Sequence, residues 1–268
     1  MLIDINAYVG HWPFKQLQYN TCESLLTRMN KFGVNVSVIS NLNGIFYKNS
    51  QAANRELHEK LRSDKRFSKR FIPFAVINPM YAGWKNDFHE SIHKFGMKGL
   101  RLYPQYHDYD ISDPALVELV KMARDEGIPV AFTIRMVDSR QRSWMDIDYV
   151  AGSRKPEWNL ANITPIIQLV PDAKYMILNI ANGLTLREEM SSIFKKADVL
   201  MDTSGRSLND FHRILNTHGK ERFAFGTHAP ILDYLTGRLR IDSLREVEAD
   251  ELTKNMIRSE NAQRFLGL

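Results

Sequence analysis

The sequence predicts an α/β fold, a single (β/α)8 TIM barrel that takes up the whole chain, residues 1–268. Three observations predict it. Apolar runs of strand length recur eight times at a mean spacing of roughly 30 residues, and a helix-patterned segment follows each of them. No Ser/Pro-rich linker or compositional break interrupts the series. Alternation alone also allows an open, doubly wound sheet, but eight repeats in one uninterrupted chain favour closure into a barrel.

The elements follow in order. Leu2 to Ile5 is the first apolar run, and Cys22 to Phe32 is a helix that Gly33 would end as a C-cap. Val36 to Ile39 and Ala52 to Ser63 form the second unit, and Phe71 to Ile77 with Trp84 to Phe95, closed by Gly96, the third. Gly99 to Leu102 is the fourth strand. Its helix, Ala115 to Glu126, starts with an Asp113 N-cap and Pro114 in the first turn and stops at Gly127. Pro129 to Ile134 precedes the helix Ile163 to Val170, and Tyr175 to Leu178 precedes Leu186 to Phe194. Asp198 to Met201, Asn209 to Thr217 before Gly219, Arg222 to Phe225 and a last helical stretch ending at Leu266 complete the count.

The net charge of +5 and a sequence pI near 9.2 raise the question of nucleic acid. The pattern argues against it. Basic residues cluster with acids, as between Lys60 and Arg70, and no zinc-finger, RNP or basic-zipper spacing occurs. Cys22 is the single cysteine, which excludes an intrachain disulfide and a thiolate cluster and suits a reducing, cytoplasmic compartment. The opening MLIDINAYVGHW lacks a basic segment followed by an apolar one, and no run is long enough to span a bilayer, so no membrane partner is expected. A homo-oligomer is an ordinary expectation for a soluble enzyme.

In such a barrel, chemistry belongs at the C-terminal strand ends. Those ends carry Asn6 and Tyr8, Asn41 and Asn43, Asn78, Arg101 and Tyr103, Thr133 with Arg135 and Asp138, Asn179 and Asn182, Asp202 and Ser204, and His228. Helix capping accounts for many an Asn, Asp or Ser in such places. Arginine is harder to assign to capping: Arg101 and Arg135 each follow an apolar strand residue, and two guanidiniums at one mouth suit a carboxylate or phosphate. His228 is the best acid–base candidate by its ordinary pKa. Tyr8, Tyr103 and Trp12 add aromatic faces of the kind that line a small-molecule pocket. Ser204 with His228 could be written as a nucleophile and its base, although a Ser-Gly turn explains Ser204 as well. Walker, G-x-G-x-x-G, H-E-x-x-H and G-x-S-x-G motifs are absent.

Six segments in order, IDINAYVG, GMKGLRLYP, GIPVAF, VLMDTSG, RFAFGTHAP and NAQRFLGL, resemble the metal-dependent amidohydrolases. The resemblance is to the amidohydrolase-2 branch that includes aminocarboxymuconate-semialdehyde decarboxylase. It covers nearly the whole chain and implies a divalent metal, such as zinc, at the barrel mouth. The chain departs from that pattern at each ligand position. Where the family reads Asp-x-His-x-His, the chain has Asp4-Ile5-Asn6-Ala7-Tyr8; Thr133, and Asn179 or a close neighbour, stand for later histidines, and Gly226-Thr227-His228-Ala229-Pro230 stands for Gly-Ser-Asp-x-Pro. Amides and phenols are poor zinc ligands, so no metal and no other cofactor is expected.

The resulting expectation is a hydrolase acting on a small anionic or polyhydroxylated lactone, amide or ester. His228, Tyr8 and Asn6 would be catalytic, and Arg101, Tyr103, Arg135, Asp138, Asn179 and Asp202 would bind the substrate. Two other readings stand beside it: a small-molecule-binding protein without catalysis, and a decarboxylase or other lyase of the same superfamily.

Overall fold

A computed structural model describes residues 1–136, 158–180, 183–205 and 211–268. Strands β1 (Ile3–Val9) and β2 (Val36–Asn41) lead to β3, which runs in two segments, Phe71–Pro73 and Ala75–Val76. They are followed by β4 (Leu100–Leu102), β5 (Val130–Thr133), β6 (Lys174–Leu178), β7 (Asp198–Asp202) and β8 (Phe223–Ala224). All the pairings are parallel and join sequence neighbours. The ring closes where the Ile5 amide donates to the Phe225 carbonyl at 2.9 Å and Ala7 bridges Ala229. β3 is split at Phe74, whose amide donates to Ile39 while its carbonyl accepts the Ser40 hydroxyl. The eight predicted strands thus all form, in a closed α/β barrel.

The helices are α1 (Cys22–Phe32), α2 (Asn43–Phe46), α3 (Ser50–Arg62), α4 (Lys65–Arg70), α5 (Trp84–His89), α6 (Pro114–Asp125), α7 (Leu160–Leu169), α8 (Glu188–Lys196), α9 (Phe211–His218), α10 (Tyr234–Asp242), α11 (Glu251–Asn255) and α12 (Asn261–Leu266). α6 starts as its sequence requires: Asp113 caps the Ala115 amide and Pro114 occupies the first turn, where its missing N–H costs nothing. α1 stops at Gly33, which takes φ 68°, a left-handed conformation that glycine adopts without the Cβ clash of other residues. α2, α4 and α10 are additions to the predicted set. They are short or weakly amphipathic, so hydrophobic periodicity does not reveal them.

Two apolar layers flank a polar centre inside the barrel. The floor contains Ile3, Ile5, Phe74, Met176 and Leu200, and the roof contains Trp12, Leu17, Ile45, Met136 and Ile231. A β-bulge decides which side chains lie between them. Between Asp4 and Ala7, β1 has one residue more than β2, so the strict alternation that points Ile3 and Ile5 inward is broken. Asn6 and Tyr8 turn inward after it, while Ala7 and Val9 join the outer layer against the helices. No helix of the described residues is long and apolar enough to cross a membrane.

Candidate active site

The polar centre is built from β1, β4, β5, β6, β7 and the turn after β8. Asn6 is its hub. Its Nδ2 donates to Asp202 Oδ2 at 2.6 Å and lies 3.3 Å from both Ser204 Oγ and His228 Nδ1; its Oδ1 accepts from Arg101 Nη1 at 3.3 Å. Asp202 Oδ1 accepts the Asn179 backbone amide at 2.8 Å. Gly226 allows β8 to pass this carboxylate, since a Cβ there would come within 2.6 Å of the Asp202 Cβ.

Asn179 and His228 both adopt positive φ, 53° and 61°, in the left-handed region that side chains disfavour. The strain is held by hydrogen bonds. His228 donates its backbone amide to the Asn6 carbonyl at 2.7 Å, and Asn179 Nδ2 donates to the Arg135 carbonyl at 2.8 Å. These turns bring both side chains back over the barrel axis.

His228 is wholly buried, and its partners define the tautomer: Nε2–H donates to the Met136 carbonyl at 2.7 Å and Nδ1 faces the Asn6 amide. Burial first, and then the nearby Arg101, Arg135 and Arg240, hold its pKa down to about 3, so the imidazole is neutral at neutral pH. Burial pushes the Asp202 carboxyl above its usual range, against hydrogen bonds from Ser204, Asn6 and Asn179 and the charge of Arg101. Just outside this centre, Asp4 accepts from Thr227 Oγ1 at 2.6 Å and from the Asn6 and Thr227 amides, both at 3.0 Å, tying β1 to β8. Burial raises it to about 6.

Arg101 has no exposed surface and lies with its guanidinium carbon 4.4 Å from the centroid of the Tyr8 ring. Nη1 donates to the Ala7 carbonyl at 3.2 Å, but among the described residues Nε and Nη2 have no hydrogen-bond partner. Tyr8 Oη, Tyr103 Oη and Thr133 Oγ1, buried beside it, also have none among the described residues. Arg101 and Thr133 are near enough to Tyr8 to favour its phenolate, yet burial dominates and keeps the phenol protonated. A buried polar group without a partner costs about 1–3 kcal/mol. Several such groups facing one another mark a place built for a polar guest.

The structure brings together Asn6, Tyr8, Arg101, Tyr103, Asn179, Asp202 and His228, with Arg135 half-buried at their edge. Asp138 and Asn182 lie outside the described residues. Asn41 and Asn43 bind Glu56 instead, and Asn78 caps the Met80 amide in a local turn. Thr227, Gly226 and Asp4 were not singled out as site residues by sequence reasoning. A carboxylate inside the apolar run LIDI was the one available signal.

Two buried groups of this region, His228 and Asp4, respond to acid in opposite directions. The unfolded histidine titrates near 6.5 and folded His228 near 3, so its contribution to stability is present above 6.5 and is lost as pH falls through that window. Asp4 works the other way. Its folded pKa of about 6 exceeds the ordinary 3.8, so its contribution is complete below 3.8 and is lost as pH rises through 6. Each amounts to about 3 kcal/mol between pH 7 and 4, with opposite signs. Asp4→Asn removes one of the two, so its urea midpoint should fall on acidification from pH 7 to 4 by the equivalent of about 3 kcal/mol relative to the parent. Equal pH slopes in parent and variant would refute the assignment.

Several solved structures share this barrel fold. A 2,6-dihydroxybenzoate decarboxylase from Rhizobium superposes with a TM-score of 0.72 at 12% identity, covering 99% of this chain and 98% of that one. A dihydroxybenzoic acid decarboxylase from Polaromonas, solved with manganese and 2-nitroresorcinol, gives 0.67 at 13% identity over 100% and 97% of the chains. A 5-carboxyvanillate decarboxylase from Novosphingobium aromaticivorans, also with manganese, gives 0.68 at 12% over 91% and 80%. No curated protein sequence matches the chain.

These structures correct the expectation that no cofactor is needed: manganese in two of the barrels points to a metal cofactor in this fold family. The expectation rested on ligand types at the family's motif positions, whereas a barrel mouth can draw donors from any of its converging loops. Among the described residues, however, no group of three or more His, Cys, Asp or Glu side chains comes together. His228 and Asp202 share their centre with two amides and a guanidinium, and both His228 nitrogens face protein partners. That donor set does not fit a divalent ion, and no step below is routed through one. The family itself is settled by its amidohydrolase model, which matches residues 45–268. With the barrel and its decarboxylase neighbours in agreement, the chain belongs to the amidohydrolase family, in the amidohydrolase-2 branch.

Proposed function

We propose that the barrel mouth binds a small aromatic or unsaturated carboxylic acid carrying a hydroxyl or carbonyl group and releases its carboxyl as carbon dioxide. The observation that carries this reading is the set of unpartnered buried donors, Arg101 Nε and Nη2 with the Tyr8, Tyr103 and Thr133 hydroxyls. They match an oxygen-rich, planar anion in hydrogen-bonding capacity and charge. The decarboxylases above, one with 2-nitroresorcinol, support the same class of guest.

In the reaction, the hydroxyl oxygen of the substrate, held as a phenolate or enolate by Arg101, becomes a carbonyl as its electrons bind a proton at the carbon that bears the carboxyl; the bond to the carboxyl carbon then breaks, carbon dioxide leaves, and the electron pair of that bond returns to the oxygen. The Asp202 carboxyl, which burial holds above its usual range, supplies that proton and regains one from solvent. Asn6 and Asn179 aim Asp202, and His228 positions Asn6 through Nδ1. The proton-carrying role first expected of His228 thus passes to Asp202. The roof must part for a ligand to enter, since Arg101, Tyr8 and Tyr103 have no exposed surface.

The test is a panel of hydroxybenzoates and unsaturated carboxylic acids, assayed for carbon dioxide with and without added manganese or zinc, beside a panel of lactones, amides and esters. Carbon dioxide release from a member of the first panel is the expected result. Turnover confined to the second would restore hydrolysis, and tight binding without conversion of either would make the chain a binding protein.

A further inference from the structure

The opposite, N-terminal face of the barrel carries a groove of about 670 Å³, within the size range of small-molecule sites. Ile72, Phe95, Ile128 and Leu266 give it half-buried apolar walls. Arg62, Lys65, Lys98 and Lys174 also line it, and no Asp or Glu does. Among the described residues these cations have no carboxylate partner; Lys174 Nζ reaches only the Phe265 carbonyl, at 3.4 Å.

Helix dipoles do not explain this collection. Arg62 lies in the last turn of α3, where a cation complements the dipole, but Lys65 opens α4, where the dipole opposes it. Lys98 precedes β4 and Lys174 begins β6, so neither sits at a helix end. Four like charges around an apolar wall repel one another unless an anion joins them. The face remote from a TIM barrel's chemistry ordinarily serves stability, which such repulsion does not.

We propose that this groove binds an amphipathic anion, with an apolar body against Ile72, Phe95 and Leu266 and a carboxylate or phosphate among Lys65, Lys98 and Lys174. The test uses the full chain, octanoate, octyl phosphate and uncharged octanol, titrated by calorimetry. Octanoate or octyl phosphate should bind at least tenfold more tightly than octanol, and the tighter of the two identifies the head group. Lys65→Glu/Lys98→Glu should lose at least tenfold in that affinity while turnover at the barrel mouth is unchanged and thermal unfolding stays cooperative. Equal anion affinity in parent and variant overturns the proposal. So does a parent dimer that binds neither anion and that the double variant dissociates, because the groove would then seat a second copy of the chain.

Discussion

Arg101→Met should abolish ligand recognition at the barrel mouth while leaving the barrel folded. Two unpartnered guanidinium donors are lost, and hydrogen bonds to a charged group are worth about 1.5–3 kcal/mol each, so affinity for a hydroxybenzoate should fall at least ~100-fold by calorimetry. Methionine fills similar space as a flexible apolar side chain, and loss of the Arg101 charge moves the Asp202 pKa further in the direction burial already pushes it, which lets the carboxyl take up a proton. Global stability should therefore stay within about 2 kcal/mol of the parent. Arg101→Lys retains the charge without the planar fork and should fall between the two. Unchanged affinity in Arg101→Met would remove the guanidinium from the site.

Asp202→Asn separates binding from chemistry. The carboxylate accepts the Asn179 amide at one oxygen and the Asn6 side chain at the other, and asparagine keeps one acceptor while losing the proton. Turnover should drop by about 100-fold to 10,000-fold, the usual contribution of a positioned acid, with affinity changed by less than about tenfold. The pH profile gives a second readout. An acid that must be protonated makes activity fall as pH rises through its raised pKa, and this alkaline limb should vanish in the variant. A variant that keeps more than about a tenth of parental turnover would return the proton to another group.

Much of the fold was legible because its signals are local. Pro114 after Asp113, glycines after helical runs and apolar strand segments act over a few residues, and each of the eight strands formed where its run stands. Site residues at strand ends, Arg101, Asp202 and His228 among them, could be found once the barrel was assumed. Their states could not. Neutrality of His228 follows from total burial near arginines of which two, Arg101 and Arg135, are far away in sequence, and its acid–base candidacy rested on the ordinary pKa alone. The cofactor expectation failed for a related reason: it counted donor types position by position, whereas the family's solved barrels reveal what a mouth can hold.

By itself the sequence determined the alternation of strands and helices, the set of polar residues at strand ends and the membership of a family. Only the tertiary structure decided which of those residues meet. The extra residue in β1 reverses the inward face after Ile5, and the left-handed turns at Asn179 and His228 bring two more side chains back over the barrel axis. Neither can be read from periodicity, because a bulge is set by pairing with a neighbouring strand and a strained φ by the hydrogen bonds that hold it.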